Sequence, residues 1–200
     1  MTPHPVRFRV APPPRLERVH VVIRLAFLLS LGLIGWPSLG WLFYLALPAV
    51  AALLVSQKGS ARYLAEDAPA IARALRWVAA AFAYLWLLTD AFPTDAKGGP
   101  VELEVETGGA PTPGSALLRL LYSIPAFFVL ALLSIATALL WIVGAIAILA
   151  WERVPAVVSD VLALTLRYQL RLIAYHLSLV DSYPSFAEAP LTQVPNQGAA

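Results

Sequence analysis

The sequence predicts an all-α integral membrane protein, built as a tandem repeat with a small two-stranded cytoplasmic β element. Three observations lead to this prediction. The chain is 60% hydrophobic and only 13% charged, whereas soluble domains average about 25% charged residues. The segments 21–56 and 120–151 contain a single charged residue between them, Arg24, and apolar runs of this length are typical of membrane insertion. The chain also repeats one pattern of residues.

The repeat is clearest in two polar-edged segments. The stretch "ALRWVAAAFAYLWLLTDAFP" (74–93) aligns without gaps with "TLRYQLRLIAYHLSLVDSYP" (165–184), which places Arg76 on Arg167. At a slightly different offset, "PVRFRV" (5–10) falls on "PVELEV" (100–105), and Arg24-Leu25 falls on Arg119-Leu120. The sequence therefore predicts two units of one plan, each with a short strand, a transmembrane helical hairpin and an amphipathic interfacial helix.

The boundaries of these parts follow from the alignment and the apolar runs. Unit 1 covers 1–93, with a strand at 5–10, an apolar hairpin at 21–56 and an amphipathic helix at 68–90. Unit 2 covers 94–186, with a strand at 100–106, an apolar hairpin at 117–151 and an amphipathic helix at 156–181. Residues 187–200 are rich in Pro, Ala and polar residues, which predicts a flexible tail.

The apolar segments are too long to be single spans. A helix of 35 residues would be about 52 Å long, but the hydrocarbon core of a bilayer is only about 30 Å thick. We therefore expect two helices in each segment. The first break is marked by "GWPSLGW" at 35–41, while the second is poorly marked, with only Ser134 and Thr137 inside 132–140.

The basic residues give the orientation. Arginines and lysines precede and follow each apolar segment, and no charged loop lies between the paired helices. The positive-inside rule then places every charged segment on the cytoplasmic side. We expect a multi-pass protein of the cell inner membrane, with its termini and charged segments facing the cytoplasm.

The predicted amphipathic helices leave two interpretations open. They either lie in the interface, with arginines at lipid phosphates, or they span the bilayer in a packed bundle. Candidate contacts to lipid headgroups or to a partner are Arg76, Arg167 and Arg171. Both helices end in a repeated turn motif, formed by Asp90, Phe92, Pro93, Asp181, Tyr183 and Pro184.

The repeated aspartates also have two interpretations. Asp90 and Asp181 either stop the helix as turn residues before the following proline, or they pair with arginines of the other unit. Asp90 is 14 residues from Arg76, about 21 Å along a helix, so these two cannot pair with each other. The turn role is the favoured one.

The two strands carry opposite charges. Arg7 and Arg9 alternate with apolar residues in the first strand, and Glu102 and Glu104 do so in the second. Opposite charges across a strand pair contribute roughly 0.2–1 kcal/mol each. We therefore expect the strands to pair with each other and to join the two units.

Several classes of chemistry lack their residues. The chain has no cysteine, which excludes disulfides and thiolate sites, and no motif for nucleotide binding, metalloprotease or serine hydrolase chemistry is present. The three histidines lie far apart in the sequence. We expect no enzyme activity, no cofactor and no metal. The net charge of +2 gives no reason to expect nucleic acid.

The stretch "LRYQLRLIAYHLSLVDSYPSF" (166–186) resembles a prokaryotic membrane protein family, the domain of unknown function 4389. The family pattern is an Arg-aromatic pair, a second Arg, Ala-Tyr, and an Asp before a Tyr-Pro turn. Unit 1 resembles the same pattern less closely, since Ala80 replaces the second arginine, so the chain is expected to hold two tandem copies. The resemblance implies a fold and a membrane location but no activity.

Three functions remain as expectations. The first is a non-catalytic accessory or scaffold subunit of a larger membrane protein complex, with membrane lipids and other membrane subunits as partners. The second is a membrane-shaping or lipid-organising protein, because paired apolar segments followed by amphipathic helices resemble the layout of reticulon-type hairpin proteins. The third is a lipid- or pigment-binding carrier, for which the sequence shows no positive feature.

Overall fold

The structure is a computed structural model. It describes residues 4–11, 13–93 and 99–186, and it describes residues 36–39 by their backbone alone. The predicted tail at 187–200, and residues 94–98 of the predicted junction between the units, lie outside the described residues.

The described residues are mostly helical, with one small antiparallel sheet. The elements in chain order are β1 (Val6–Val10), α1 (Arg18–Leu33), α2 (Trp36–Lys58), α3 (Ser60–Arg62), a π-helical turn (Tyr63–Asp67), α4 (Ala68–Leu85), β2 (Val101–Val105), α5 (Pro113–Tyr122), α6 (Ile124–Trp151) and α7 (Ala156–His176).

The first apolar segment is divided into two helices. Helix α1 ends at Leu33, and Gly35 takes a left-handed conformation with a φ of 75° before α2 begins. A residue without a Cβ adopts this conformation at little cost, and Pro37 is tolerated in the first turn of the next helix. The break therefore lies at the start of the predicted 35–41 stretch.

The second apolar segment differs from the prediction. It contains the short helix α5 and then the continuous helix α6, so the chain bends at Ser123 and not within 132–140. Ser134 donates its hydroxyl to the Leu130 carbonyl at 2.7 Å, and Thr137 donates to Thr165 of α7 at 3.0 Å. Both hydroxyls are satisfied without disturbing the backbone, so the helix has no reason to break there. The break expected within 132–140 is therefore wrong, and most of the segment 117–151 is one long helix.

Helix α7 occupies the centre of the fold. It runs antiparallel to α6, since Thr165 contacts Thr137 and Val158 lies close to Gly144. Every residue from 170 to 180 is buried. The interfacial position expected for 156–181 is therefore wrong for residues 170–180, because α6, β1 and neighbouring helices cover the faces that the sequence alone leaves open.

Helix α4 keeps the amphipathic character predicted for 68–90. Its buried face consists mainly of alanines at helical spacing, and its arginines are exposed. The buried residues of this face are Ala68, Ala72, Leu75, Ala79 and Ala83, and the exposed arginines are Arg73 and Arg76.

In the part of the chain that the structure describes, two helical segments are long and apolar enough to cross a membrane, by length and composition. They are Gly40–Lys58 in α2 and Ile124–Trp151, which is α6. The core helix of a soluble protein can pass the same test, but such a helix is mostly buried. Here only 33% of the first window and 17% of the second are buried inside the protein, so most of their apolar surface faces outward.

Strands β1 and β2 form the predicted two-stranded element. They pair antiparallel, with Phe8 opposite Leu103 at the centre, Arg7 opposite Glu104 and Arg9 opposite Glu102. Val6, Phe8 and Leu103 are buried while the charged residues between them face outward. The Nε of Arg7 lies 3.4 Å from the Glu104 carboxylate, and its Nη2 also pairs with Glu106. The alternation thus gives one buried apolar face and one charged face.

The opposite charges predict a specific response to charge reversal. Replacing Arg7 and Arg9 by Glu should lower the free energy of unfolding by about 1 kcal/mol per pair, because attraction becomes repulsion. Adding Glu102→Arg and Glu104→Arg should restore most of the loss. Thermal unfolding in one detergent measures both variants, and a combined variant as unstable as the two-residue one would show that the strands contribute no pairing energy.

Candidate functional site

Two buried arginines make the most specific polar contacts in the described structure. Arg24 of α1 and Arg119 of α5 each reach the loop that follows a helix of the same unit. We call these clusters the two arginine centres. The first is formed by Arg24, Tyr84, Thr89 and Asp90, and the second by Arg119, Tyr175, Val180 and Asp181.

In the first centre, Arg24 is fully buried. Its Nε donates to the Tyr84 carbonyl at 2.7 Å, and its Nη2 donates to the Thr89 carbonyl at 2.6 Å and to Asp90 Oδ1 at 2.7 Å. The guanidinium carbon also lies 4.5 Å from the centre of the Tyr84 ring. The cation is therefore held by two carbonyls, one carboxylate and one aromatic face.

The second centre repeats this set of contacts. Nη1 of Arg119 donates to the Tyr175 carbonyl at 2.8 Å and to the Val180 carbonyl at 2.6 Å, and Nη2 pairs with Asp181. The guanidinium carbon again lies 4.5 Å from a tyrosine ring centre, here that of Tyr175. Each acceptor occupies the position that aligns with its counterpart in the first centre.

The ends of α4 and α7 explain why carbonyls are available there. A helix leaves its last four carbonyls without intrahelical partners. In α4, Leu88 donates its amide to Ala83 and Leu87 donates to Tyr84, while in α7 Leu179 donates to Ala174 and Ser178 to Tyr175. Both ends have the two bonds of a Schellman motif. Leu87 and Ser178 take its left-handed position, with φ values of 62° and 54°.

Backbone groups also fix the carboxylates. The amide of Glu17 donates to Asp90 Oδ2 at 2.7 Å. In the second centre, Gly109 has a φ of +97°, and a Cβ at this position would overlap the carboxylate of Asp181. Only glycine therefore allows the backbone to approach Asp181 this closely.

Of the two roles that the sequence left open for the aspartates, the structure shows the less favoured one, which is pairing with an arginine. Asp90 and Asp181 pair with arginines, but with Arg24 and Arg119 of their own units. Neither predicted arginine at 76 or 167 is involved in these pairs. The signal was present in the alignment of Arg24-Leu25 with Arg119-Leu120. It was missed because a lone arginine in an apolar segment gives no indication of a partner more than 60 residues away.

The remaining residues of the repeated turn pack around the centres. The Phe92 ring lies 5.4 Å from that of Tyr84, and the Tyr183 ring lies 5.7 Å from that of Tyr175. Pro93 and Pro184 are both buried. The turn motif thus closes over each centre.

The three candidate arginines for lipid or partner contact have different positions. Arg76 is exposed on α4, and Arg167 is half-buried on α7. Arg171 is only 3% exposed and donates to the carbonyls of Val6 and Ser185. The expectation that Arg171 contacts lipid headgroups is therefore wrong, because β1 and the final turn cover its side chain.

Removing the negative charge of Asp90 or Asp181 should destabilise the protein, because the buried arginine then lacks a counter-charge. Asp90→Asn leaves Arg24 without a counter-charge and should lower the free energy of unfolding by about 3 kcal/mol. Asp181→Asn should cost less, because the Asp181 side chain is 56% exposed against 18% for Asp90. Asp160→Asn, an exposed position on α7, is the matched control. Equal small effects in all three variants would contradict the structural role of the centres.

His176 is buried beside the second centre. Its Nε2 lies 2.7 Å from the hydroxyl of Ser123, at the bend between α5 and α6. Burial, with a smaller contribution from the positive charge of Arg119, lowers the pKa of His176 to about 4. The neutral imidazole is therefore the folded form at neutral pH.

This shift predicts a loss of stability in acid. Between pH 6.5 and 4 the unfolded chain protonates His176 while the folded chain does not, so the free energy of unfolding falls as the pH is lowered, by up to about 3 kcal/mol. Unfolding curves at several pH values should show this slope in the native protein and a smaller slope in His176→Gln. Identical slopes would mean that His176 is not held neutral.

The centres have the chemistry of structural sites. Their guanidinium donors bind backbone carbonyls and a carboxylate. Within the described ranges, no group of three or more His, Asp or Glu side chains could hold a metal ion.

A comparison with protein families locates part of this architecture. The family model described as Domain of unknown function (DUF4389) matches residues 113–188. The match covers α5, α6, α7 and the second arginine centre, which is less than half of the chain. It occurs once, so the expectation of two family copies is corrected to one. No curated protein and no solved structure matches the chain.

Proposed function

We propose that the protein is a non-catalytic accessory subunit of a larger membrane protein complex. In this proposal its apolar helices enter the cell inner membrane from the cytoplasmic face, and its charged sheet remains in the cytoplasm. Membrane lipids and other membrane subunits are its partners. The exposed apolar surface of α6 carries the proposal.

That surface is a continuous stripe along one side of α6. From Phe128 to Leu149 the stripe is about 32 Å long at 1.5 Å per residue, close to the thickness of a hydrocarbon core, about 30 Å. An apolar surface of this length needs lipid or protein to cover it. Its exposed residues are Phe128, Leu132, Ile135, Leu139, Ile142, Ile146 and Leu149.

The charged sheet lies on a different side of α7. Thr165 contacts α6 and Arg171 contacts β1, and positions six residues apart point about 120° away from each other around a helix. The outward faces of the strands carry Arg9, Glu102 and Glu104. The apolar helix α6 and the charged sheet thus cover different sides of α7.

The repeated contacts support two tandem units of one architecture. The arginine centres use aligned residues, and the strand pairing is centred on Phe8 and Leu103, which also align. An antiparallel pair centred on equivalent residues is what a two-fold relation between the units would produce. We therefore propose that unit 1 is a diverged copy of the unit that the family model matches.

A carrier function finds little support. Among the described residues, a groove beside α4 holds about 50 Å³, whereas sites for small molecules typically hold about 300–1,000 Å³. Membrane shaping is the second candidate. It is favoured by the separation of surfaces, because a protein with its apolar helices below a charged layer occupies more area in one leaflet than in the other.

Insertion of the stripe can be tested with a charge. Ile135→Arg places a cation at the middle of α6, where a bilayer centre would impose about 2.5–3.5 kcal/mol. We expect this variant to be lost from carbonate-washed membranes. Val19→Arg, similarly exposed but next to Arg18, which pairs with Glu152 beyond the end of the stripe, should remain. Full retention of both variants would show that the stripe is not in hydrocarbon.

Purification distinguishes the two functions. Solubilisation in a mild detergent should yield this chain with a membrane protein partner in fixed stoichiometry, and the pure protein should leave liposomes spherical. Tubulation of liposomes by the pure protein would favour membrane shaping. A monodisperse monomer without effect on liposomes would contradict both.

A further inference from the structure

The groove of about 50 Å³ lies beside α4, where the first unit lacks an arginine that the second unit has. Its wall includes Ala80 and the edge of β2, and it opens to the surface. The lining residues used below are Arg76, Trp77, Ala80, Phe92, Pro93 and Val101. The first five align with residues of the second unit, and Val101 of β2 aligns with Val6 of β1.

In the aligned region beside α7, the side chain of Arg171 takes the place that a ligand would take in the groove. The Nε of Arg171 donates to the Val6 carbonyl at 3.3 Å, and its Nη1 donates to the Ser185 carbonyl at 2.6 Å. At the groove the position of Arg171 is held by Ala80, and the position of Val6 is held by Val101. An alanine leaves the volume of the guanidinium and its stem unfilled.

The strand register directs an acceptor into this space. Glu106 donates its amide to Pro5, and Ala11 donates to Pro100, so the pairs containing Val6 and Val101 are those that do not bond across the ladder. Residues of such pairs point their carbonyls away from the partner strand. The Val6 carbonyl meets Arg171 in this way, and the Val101 carbonyl is directed toward α4 in the same manner. The counterpart of Ser185 is residue 94, which lies outside the described residues.

We propose that the groove at Ala80 is a receptor for a guanidinium group, filled by an arginine side chain of a partner polypeptide. That the arginine belongs to a partner polypeptide rests on the proposed function, whereas the site for a guanidinium group is inferred from the geometry alone. Trp77 lines the groove, and an indole ring can bind a planar cation on its face. The nearby charge of Arg76 does not prevent binding, since Arg167 precedes Arg171 by the same single helical turn.

A small probe tests the site without any partner. N-acetyl-L-arginine methylamide should cause a saturable shift of the Trp77 indole signal in ¹⁵N-labelled protein, assigned through Trp77→Phe. The neutral citrulline analogue should bind at least tenfold more weakly. Absence of a saturable shift, or equal binding of the two probes, would overturn the proposal and leave the subunit function untouched.

Two variants on α4 provide the matched comparison. Ala80→Arg should fill the groove with its own side chain and abolish the probe-induced shift, as Arg171 fills the second unit. Ala74→Arg adds the same charge at an exposed position of α4 and should bind the probe as the native protein does. Unchanged binding in Ala80→Arg would place the probe elsewhere and refute the site.

Rescue of an Arg171→Ala variant by a small guanidinium salt tests the proposal in an independent way. Arg171→Ala should create a second groove and lower the thermal unfolding midpoint, and ethylguanidinium should restore part of that loss where sodium chloride of equal ionic strength does not. Equal effects of the two salts would contradict a guanidinium site in this scaffold. If Arg171→Ala does not fold, the comparison of Ala80→Arg with Ala74→Arg still decides the proposal.

Discussion

The bond between a buried arginine and the end of a distant helix is the interaction on which the rest of the structure depends. Arg24 and Arg119 each satisfy carbonyls that a helix end leaves unpaired, and each brings a carboxylate with it. A buried cation is costly when it lacks partners. Once formed, the first centre therefore fixes α1 against the end of α4, and the second fixes α5 against the end of α7.

The other features build on this placement. With the ends of α4 and α7 held, the strands cross between the units, and their apolar residues Phe8 and Leu103 are buried together with Val6. The charged residues of the strands then face outward, away from the stripe on α6. The separation of charged and apolar surfaces, which suits a membrane protein, thus follows from polar contacts in the interior.

The sequence predicted the secondary-structure elements better than it predicted which side chains are buried. The sequence predicted the pairing of oppositely charged strands, the repeated turn and the break near Gly35, because each depends on local residue type. It did not predict that α6 is continuous, because Ser134 and Thr137 can either interrupt a helix or form hydrogen bonds without breaking it. The buried position of Arg171 was also not readable, since burial depends on which element covers a side chain. The partner of Asp90 required a contact across 66 residues, and only the repeat alignment of Arg24 with Arg119 pointed to it.

A double-mutant cycle between Arg24 and Asp90 tests this account most directly. The single changes Arg24→Gln and Asp90→Asn and their combination should show a coupling of about 2–3 kcal/mol in the free energy of unfolding, because each loss already removes the shared contact. The cross-centre pair of Arg24→Gln with Asp181→Asn should be additive within about 0.5 kcal/mol. Additive effects of Arg24→Gln and Asp90→Asn would show that the first centre does not exist as described.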